Sequence, residues 1–135
     1  MQALVVGCGY TGRMVIERLH EAYEKMGVID LDQKNLARLQ HFPKVEQVIG
    51  DGSDINVLLK AGIEGCTIFL AVTGNDHVNL MTALLAKKIF RIKRVICRLN
   101  DNAHRSIFEE HKLTVISPAE TFAAACRDVL GEGIL

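Results

Sequence analysis

At 135 residues, 49% hydrophobic and 24% charged, the chain has the size of one domain with enough apolar content to bury a core. Sixteen basic residues balance sixteen acidic ones, so no overall basic field directs it to nucleic acid or to an anionic membrane surface. No apolar run approaches the roughly 18 residues of a membrane span, and "QALVVG" at residues 2–7 lacks the basic and long apolar regions of a secretory signal.

Taken in chain order, "QALVV" (2–6) predicts a short buried strand, followed by a glycine turn and a helix over Tyr10–Tyr23 with Val15, Leu19 and Ala22 at helical spacing. "MGVID" (26–30) is a second strand, with a short helix near Gln33–Gln40 that Pro43 ends. "VEQVI" (45–49) is the third strand, and "DINVLLKAG" a helix with Asp54 as cap and Gly62 as stop. "CTIFLAV" (66–72) is apolar enough to be covered on both faces, and helix 75–90 follows with Asn75 or Asp76 as cap. Strand "RVICRL" (94–99), helix "NAHRSIFEEH" (102–111), strand "LTVIS" (113–117) and a helix from Pro118 to about Leu130 complete the chain. Six strands alternating with helices predict an α/β fold of Rossmann-like type: a doubly wound, parallel six-stranded sheet with helices on both faces.

In that fold the ligand crevice lies between the carboxyl ends of strands one and four. Gly7, Gly9 and Gly12 fit the G-x-G-x-x-G spacing, in which backbone amides and a helix N-terminus hold a pyrophosphate. The motif here follows a strand and opens a helix, the context that gives it weight. Asp30 ends the second strand 18 residues after Gly12, where a carboxylate accepts from both ribose hydroxyls and repels a 2′-phosphate; Asp32 is the better cap for the next helix. Asp51, Gly52 and Ser53 end the third strand and are read either as contacts to the adenine end or as a plain turn. Arg13, a cation in the first turn of a helix, opposes the macrodipole unless a phosphate sits there, with Glu17 as the alternative partner. Arg98, at the end of strand five, faces the crevice edge, because an unpaired buried guanidinium is costly. Cys8, Cys66, Cys97 and Cys126 are too dispersed for a zinc site or disulfide framework, and the five histidines form no cluster. No metal site and no catalytic constellation is expected.

"VVGCGYTG", "VIDLD", "GDGSD", "AVTGNDHVNL" and "VICRLND", in this order over nearly the whole chain, resemble the nucleotide-binding N-domain of Trk/Ktr-type potassium transport regulators, the RCK or KTN (TrkA-N type) domain. The resemblance implies a single N-domain over residues 1–135 that binds NAD(H) or an adenine nucleotide (ATP, ADP or AMP), with the family's C-terminal ligand domain absent. By position, Gly7, Gly9, Tyr10, Thr11, Gly12 and Arg13 fall at the phosphates. Asp30 falls at the ribose, Asp51, Gly52 and Ser53 at the adenine end, and Thr73 with Arg98 on the far side of the nucleotide. Two departures argue against ATP-specific sensing: Tyr10 stands where many members carry an arginine, and Ala119 follows Pro118 where such members carry glutamate.

The implied function is a cytoplasmic regulatory subunit, not an enzyme, peripheral to the inner face of the membrane. It gates potassium flow through a transporter or channel subunit and assembles as a homo-oligomer, from dimer to ring, without binding nucleic acid or inserting into the bilayer. The alternative is an NAD-dependent oxidoreductase or redox-sensing domain, which requires a substrate domain or a basic DNA-reading segment that these residues do not supply. Apolar residues of helix 75–90 in excess of one sheet face, and the Phe122–Ala125 surface of the last helix, are expected to be shared between the core and subunit contacts.

Overall fold

Alternation along the first strand sets the architecture. In β1 (Gln2–Val6), Leu4 and Val6 join one hydrophobic cluster and Ala3 and Val5 another, all four buried, as a strand covered on both sides requires. The computed structural model describes residues 2–131. It contains β2 (Lys25–Asp30), β3 (Val45–Ile49), β4 (Ile68–Ala71), β5 (Arg94–Arg98) and β6 (Thr114–Ile116) in one sheet of order β3-β2-β1-β4-β5-β6. Every pairing is parallel, so the doubly wound expectation is met, with its switch point between β1 and β4.

Helices α3 (Ile55–Lys60), α4 (Asp76–Leu84) and α5 (Arg105–Glu110) cover one face through Leu58, Ala83 and Phe108, which pack with Val6, Phe69 and Cys97. Helices α1 (Tyr10–Leu19) and α2 (Gln33–Ala37) cover the other through Ile16 and Leu36, packed with Val5 and Val28. This second cover reaches as far as β4, whose Ile68 and Leu70 are buried in the same cluster. The strip over β4, β5 and β6 beside α1 is an apolar groove of about 360 Å³ walled by Met14, Val15, Leu70, Ile96 and Ile116.

The last helix, α6 (Pro118–Leu130), starts from a serine cap: Ser117 Oγ accepts from Glu120 N at 3.2 Å, with Pro118 at the first helical position. It then leaves the domain. None of its residues is buried, and Phe122 and Val129 are 72% and 86% exposed, so the Phe122–Ala125 surface adds nothing to this chain's own core. Helix α4 divides differently: Ala83 and the following Ala86 are buried, while Met81 and Ile89 stay exposed.

Element ends shift by local hydrogen bonding. The first helix stops at Leu19, and His20–Ala22 tighten into a 3-10 turn. After Leu84 the helix continues as a π turn over Leu85–Ile89, and a 3-10 turn at Asn102–His104 opens α5. Asp54 caps α3 and Asn75, not Asp76, caps α4, its Oδ1 accepting from His77 N and Val78 N at 2.9 and 3.1 Å.

The tightest approach in the fold is between α1 and the end of β1. A Cβ at Gly12 would lie 2.0 Å from Gly7 O, which is backbone and cannot yield. Gly12→Ala therefore forces α1 off the sheet and is expected to cost about 1–3 kcal/mol in urea unfolding; parent-like stability would contradict this packing.

Candidate functional site

At the carboxyl ends of β1, β2 and β4 lies a cleft of about 220 Å³. Its floor is the glycine turn. Gly7 adopts φ +107° and its N–H donates to Ile29 O at 2.8 Å, extending the ladder one step beyond β1. Helix α1 opens at the cleft with Gly9 as its cap, which offers no side-chain acceptor, and no acidic residue stands in the first turn. The first-turn amides and the positive end of the helix dipole are thus left for an anion. Around a Cβ built on Gly9 there is no atom within 4 Å.

Asp30 fastens this turn. Its Oδ2 accepts from Cys8 N at 2.7 Å, while Oδ1 accepts from Asp32 N at 2.7 Å and Asn35 Nδ2 at 3.3 Å. A carboxylate offers about four acceptor positions, so one remains, on Oδ2. Capping of α2 falls to Asp32, which accepts from Lys34 N at 2.8 Å.

The opposite wall is the β4 end, held by a buried amide. Asn79, fully buried, accepts from Thr73 N at 2.9 Å and Thr73 Oγ1 at 2.6 Å, and donates to Thr73 O and Arg98 O at 3.0 Å each. Both donors and both acceptor positions of the amide are used. Beside it Asp76, 6% exposed, receives Asn100 N at 2.7 Å, Asp101 N at 2.9 Å and His104 Nδ1 at 2.8 Å, clasping the loop after β5. Burial pushes the Asp76 carboxyl up, but the hydrogen bonds from His104, Asn100 and Asp101 outweigh it and hold it below the ordinary value. The bond to Asp76 in turn raises the His104 imidazole.

Of the residues singled out by sequence, the cleft brings together Gly7, Gly9, Asp30, Asp51, Gly52, Thr73 and Arg98. Gly12 lies beneath it. Thr11 faces the apolar groove. Tyr10 is 71% exposed, with the Arg13 guanidinium 5.8 Å from its ring centroid; among the described residues Arg13 forms no ion pair with Glu17. Ser53 is spent in a turn, donating to Asp51 Oδ1 from its N–H at 2.8 Å and its hydroxyl at 2.6 Å, which lowers the Asp51 pKa. Gly52 is packed so closely that a Cβ there would fall 2.3 Å from Val6 Cγ1. Arg98 lines both the cleft and the apolar groove, and its buried Nε has no hydrogen-bond partner. Sequence reasoning gave no site role to Asn35, Val78 or the Asn79 latch; the spacing Thr73-x-x-Asp76-x-x-Asn79 within "AVTGNDHVNL" is the signal that marks the latch.

Burial lifts the Cys8 and Cys66 thiols to about 11 and Cys97 to about 12, leaving them unreactive as nucleophiles. Among the described residues no group of three or more His, Cys, Asp or Glu is placed to hold a metal, and no helix is long and apolar enough to cross a membrane.

A glycine turn, a fastened acidic residue at the end of β2 and a cleft at the β1/β4 switch point define a Rossmann-type dinucleotide-crevice domain. The TrkA-N domain model matches residues 3–118; the chain belongs to the TrkA-N domain family. It is 29% identical over 109 residues to the Trk system potassium uptake protein TrkA of Streptomyces coelicolor, covering 81% of this chain and 49% of that protein. With a TrkA homolog of Archaeoglobus fulgidus it shares 30% identity over 138 residues, 97% of this chain and 30% of the relative. The chain thus spans half or less of these curated relatives. In fold it is similar to the TrkA-N domain of inner membrane protein ybaL from Escherichia coli (TM-score 0.86, 18% identity, 96% of each chain). It is also similar to the Shewanella denitrificans Kef CTD in an AMP-bound form (TM-score 0.83, 16% identity, 98% of this chain and 83% of that one). A third similar structure is the GsuK channel bound to NAD (TM-score 0.69, 16% identity, 85% and 21%).

The Asp76–His104 pair gives the wall a pH signature. A raised imidazole stabilises fully below its ordinary 6.5 and its contribution fades as pH rises through the folded value; the lowered Asp76 acts above 3.8 and is lost as pH falls through its folded value. The melting temperature of the parent should exceed that of His104→Gln by more at pH 6 than at pH 9, and a constant difference would show that the pair does not titrate as described.

Proposed function

We infer that this domain binds an adenine nucleotide, NAD(H) or one of ATP, ADP and AMP, and serves as a non-enzymatic regulatory module of a potassium transporter or channel. One observation carries the nucleotide reading: a glycine-capped helix N-terminus, with open space at Gly9, faces the same cleft as the Arg98 side chain, whose buried Nε has no hydrogen-bond partner. Amide donors, the helix dipole and a guanidinium suit the phosphates of a nucleotide, and the AMP and NAD of two similar structures are adenine nucleotides with one and two phosphates. The remaining Oδ2 position on Asp30 takes a ribose hydroxyl, Asp51 stands at the adenine end, and Thr73 with Arg98 borders the far side. Thr11, Arg13 and Tyr10 lie at the mouth of α1, where Arg13 reaches a phosphate by leaving Tyr10.

Regulation is the better reading than catalysis. The acid–base pair nearest the cleft, Asp76 and His104, is engaged in holding the β5 loop and does not line the cleft. Arg98 instead links the cleft to the apolar groove. A phosphate that draws the guanidinium toward itself changes the groove wall, and the groove is the surface that a second copy covers with its exposed α6. Nucleotides of different charge then bias assembly to the extent that they bind the two arrangements with different affinity. The domain acts in the cytoplasm at the inner face of the membrane, as the N-domain of a larger regulator or beside a separate ligand domain.

Gly9→Val places a side chain where the pyrophosphate sits without meeting any protein atom. The variant should fold and melt like the parent, yet lose the ADP- and NAD-induced rise in melting temperature by at least tenfold in apparent affinity; undiminished stabilisation by nucleotide would refute the site.

The assembly reading makes a separate demand. Phe122→Glu puts a charge on the exposed face of α6 and should shift the species seen by light scattering from dimer or larger toward monomer. A parent that is monomeric at micromolar concentration contradicts the assembly.

A further inference from the structure

A second hollow of about 240 Å³ lies at the opposite pole of the sheet, where β5 and β6 begin. Buried Ile92 and Leu113 line it together with Lys87, Lys93, Arg94 and Lys112, and Arg91 stands beside it in the turn before β5. The chain is neutral overall, but its charges are not spread evenly: residues 77–100 contain no Asp or Glu and carry Lys87, Lys88, Arg91, Lys93, Arg94 and Arg98.

Lys87 is occupied, since its Nζ donates to His111 O at 2.9 Å and Lys112 O at 2.8 Å, closing the end of α5. Lys88 Nζ lies 3.1 Å from His111 Nδ1. Among the described residues Arg91, Lys93, Arg94 and Lys112 make no ion pair, and the Glu109 carboxylate is shared with Arg105 at 3.6 Å. The backbone adds a second, independent observation. Arg91 and Lys112 have φ +55° and +56°, the left-handed region that an L side chain rarely adopts because its Cβ crowds the following carbonyl. Both turns would close more easily with glycine, yet both carry cations: Lys112 lines the hollow and Arg91 directly precedes its lining residue Ile92. Strain of this kind persists where a site uses it.

We propose that this hollow binds a phosphate group carried on an anionic lipid headgroup, so that the domain rests this pole on the inner leaflet. Lys93, Arg94 and Lys112, none of them in an ion pair among the described residues, line one compact concavity, which suits a phosphate's clustered oxygens. A carboxylate ladder on an extended peptide would need a long groove. The apolar lining of Ile92 and Leu113 suits the carbon skeleton attached to a headgroup phosphate rather than a bare ion. The hollow lies at the other end of the sheet from the nucleotide cleft, so the proposal stands independently of the nucleotide reading.

Co-sedimentation with phosphatidylcholine vesicles, with and without phosphatidylglycerol, tests it, alongside calorimetric titration of pyrophosphate into the Gly9→Val chain, whose nucleotide cleft is filled. Binding is expected only to the phosphatidylglycerol vesicles and to fall with salt. Arg91→Gly and Lys112→Gly should each weaken it roughly fivefold, the partitioning contributed by one cation, while melting temperature stays level or rises because glycine relieves the left-handed turns. Lys93→Ser, on the strand side of the hollow, should weaken it similarly. Pyrophosphate binding without vesicle binding overturns the lipid source and leaves a free phosphate compound as occupant. Binding of neither probe, or glycine variants that bind vesicles like the parent, overturns the site.

Discussion

The structure depends on one close contact, the seating of Gly12 against the Gly7 carbonyl. Because a Cβ at residue 12 would stand 2.0 Å from that oxygen, only glycine lets α1 descend to the sheet at this point. That descent brings the helix N-terminus over the end of β1 and aims its free amides at the cleft. Asp30 completes the arrangement from the neighbouring strand by holding Cys8 N at 2.7 Å. The glycine-turn side of the crevice is therefore fixed by backbone packing and one carboxylate.

On the other side of the cleft, rigidity comes from buried polar groups that are fully satisfied. Asn79 spends all of its hydrogen-bonding capacity on Thr73 and Arg98, and Asp76 spends its own on the loop from Asn100 to His104. Such networks confer a unique geometry only when every member is paired. Arg98 is the exception. Its main-chain carbonyl is held by Asn79 while its Nε lacks a partner, so the backbone is fixed and the guanidinium is the part that can respond to an anion. The same side chain borders the groove that α6 leaves open, so the cleft and the apolar surface share one side chain.

The strand order and switch point were legible because period-two burial and the glycine fingerprint are local signals that survive folding unchanged. The course of α6 was not. Its apolar face reads as shared between the core and subunit contacts, since a sequence cannot say whether such a face packs on its own sheet or points away from it. The Arg13–Glu17 pair failed for a related reason: helical spacing permits it, but Tyr10 offers the guanidinium a ring to lie over. Asp30 was placed at the right strand end, yet the three donors it already serves come from residues 8, 32 and 35, a convergence visible only in three dimensions. Asn79 was legible only as part of the Thr73-x-x-Asp76-x-x-Asn79 spacing, because the part a buried asparagine plays is set by its partners. The neutral overall charge likewise concealed the cationic pole at β5 and β6, since composition averages over a surface that is locally uneven.

The central claim is that a nucleotide's phosphates lie on the glycine turn between β1 and β4. Amide chemical-shift mapping of the labelled chain during an ADP titration tests it most directly. The account predicts saturable shifts at residues 7–13, at Asp30 and at Thr73–Gly74, with the amides of residues 91–94 and 112 unmoved. Shifts confined to the far pole, or none at saturating ADP, would contradict it.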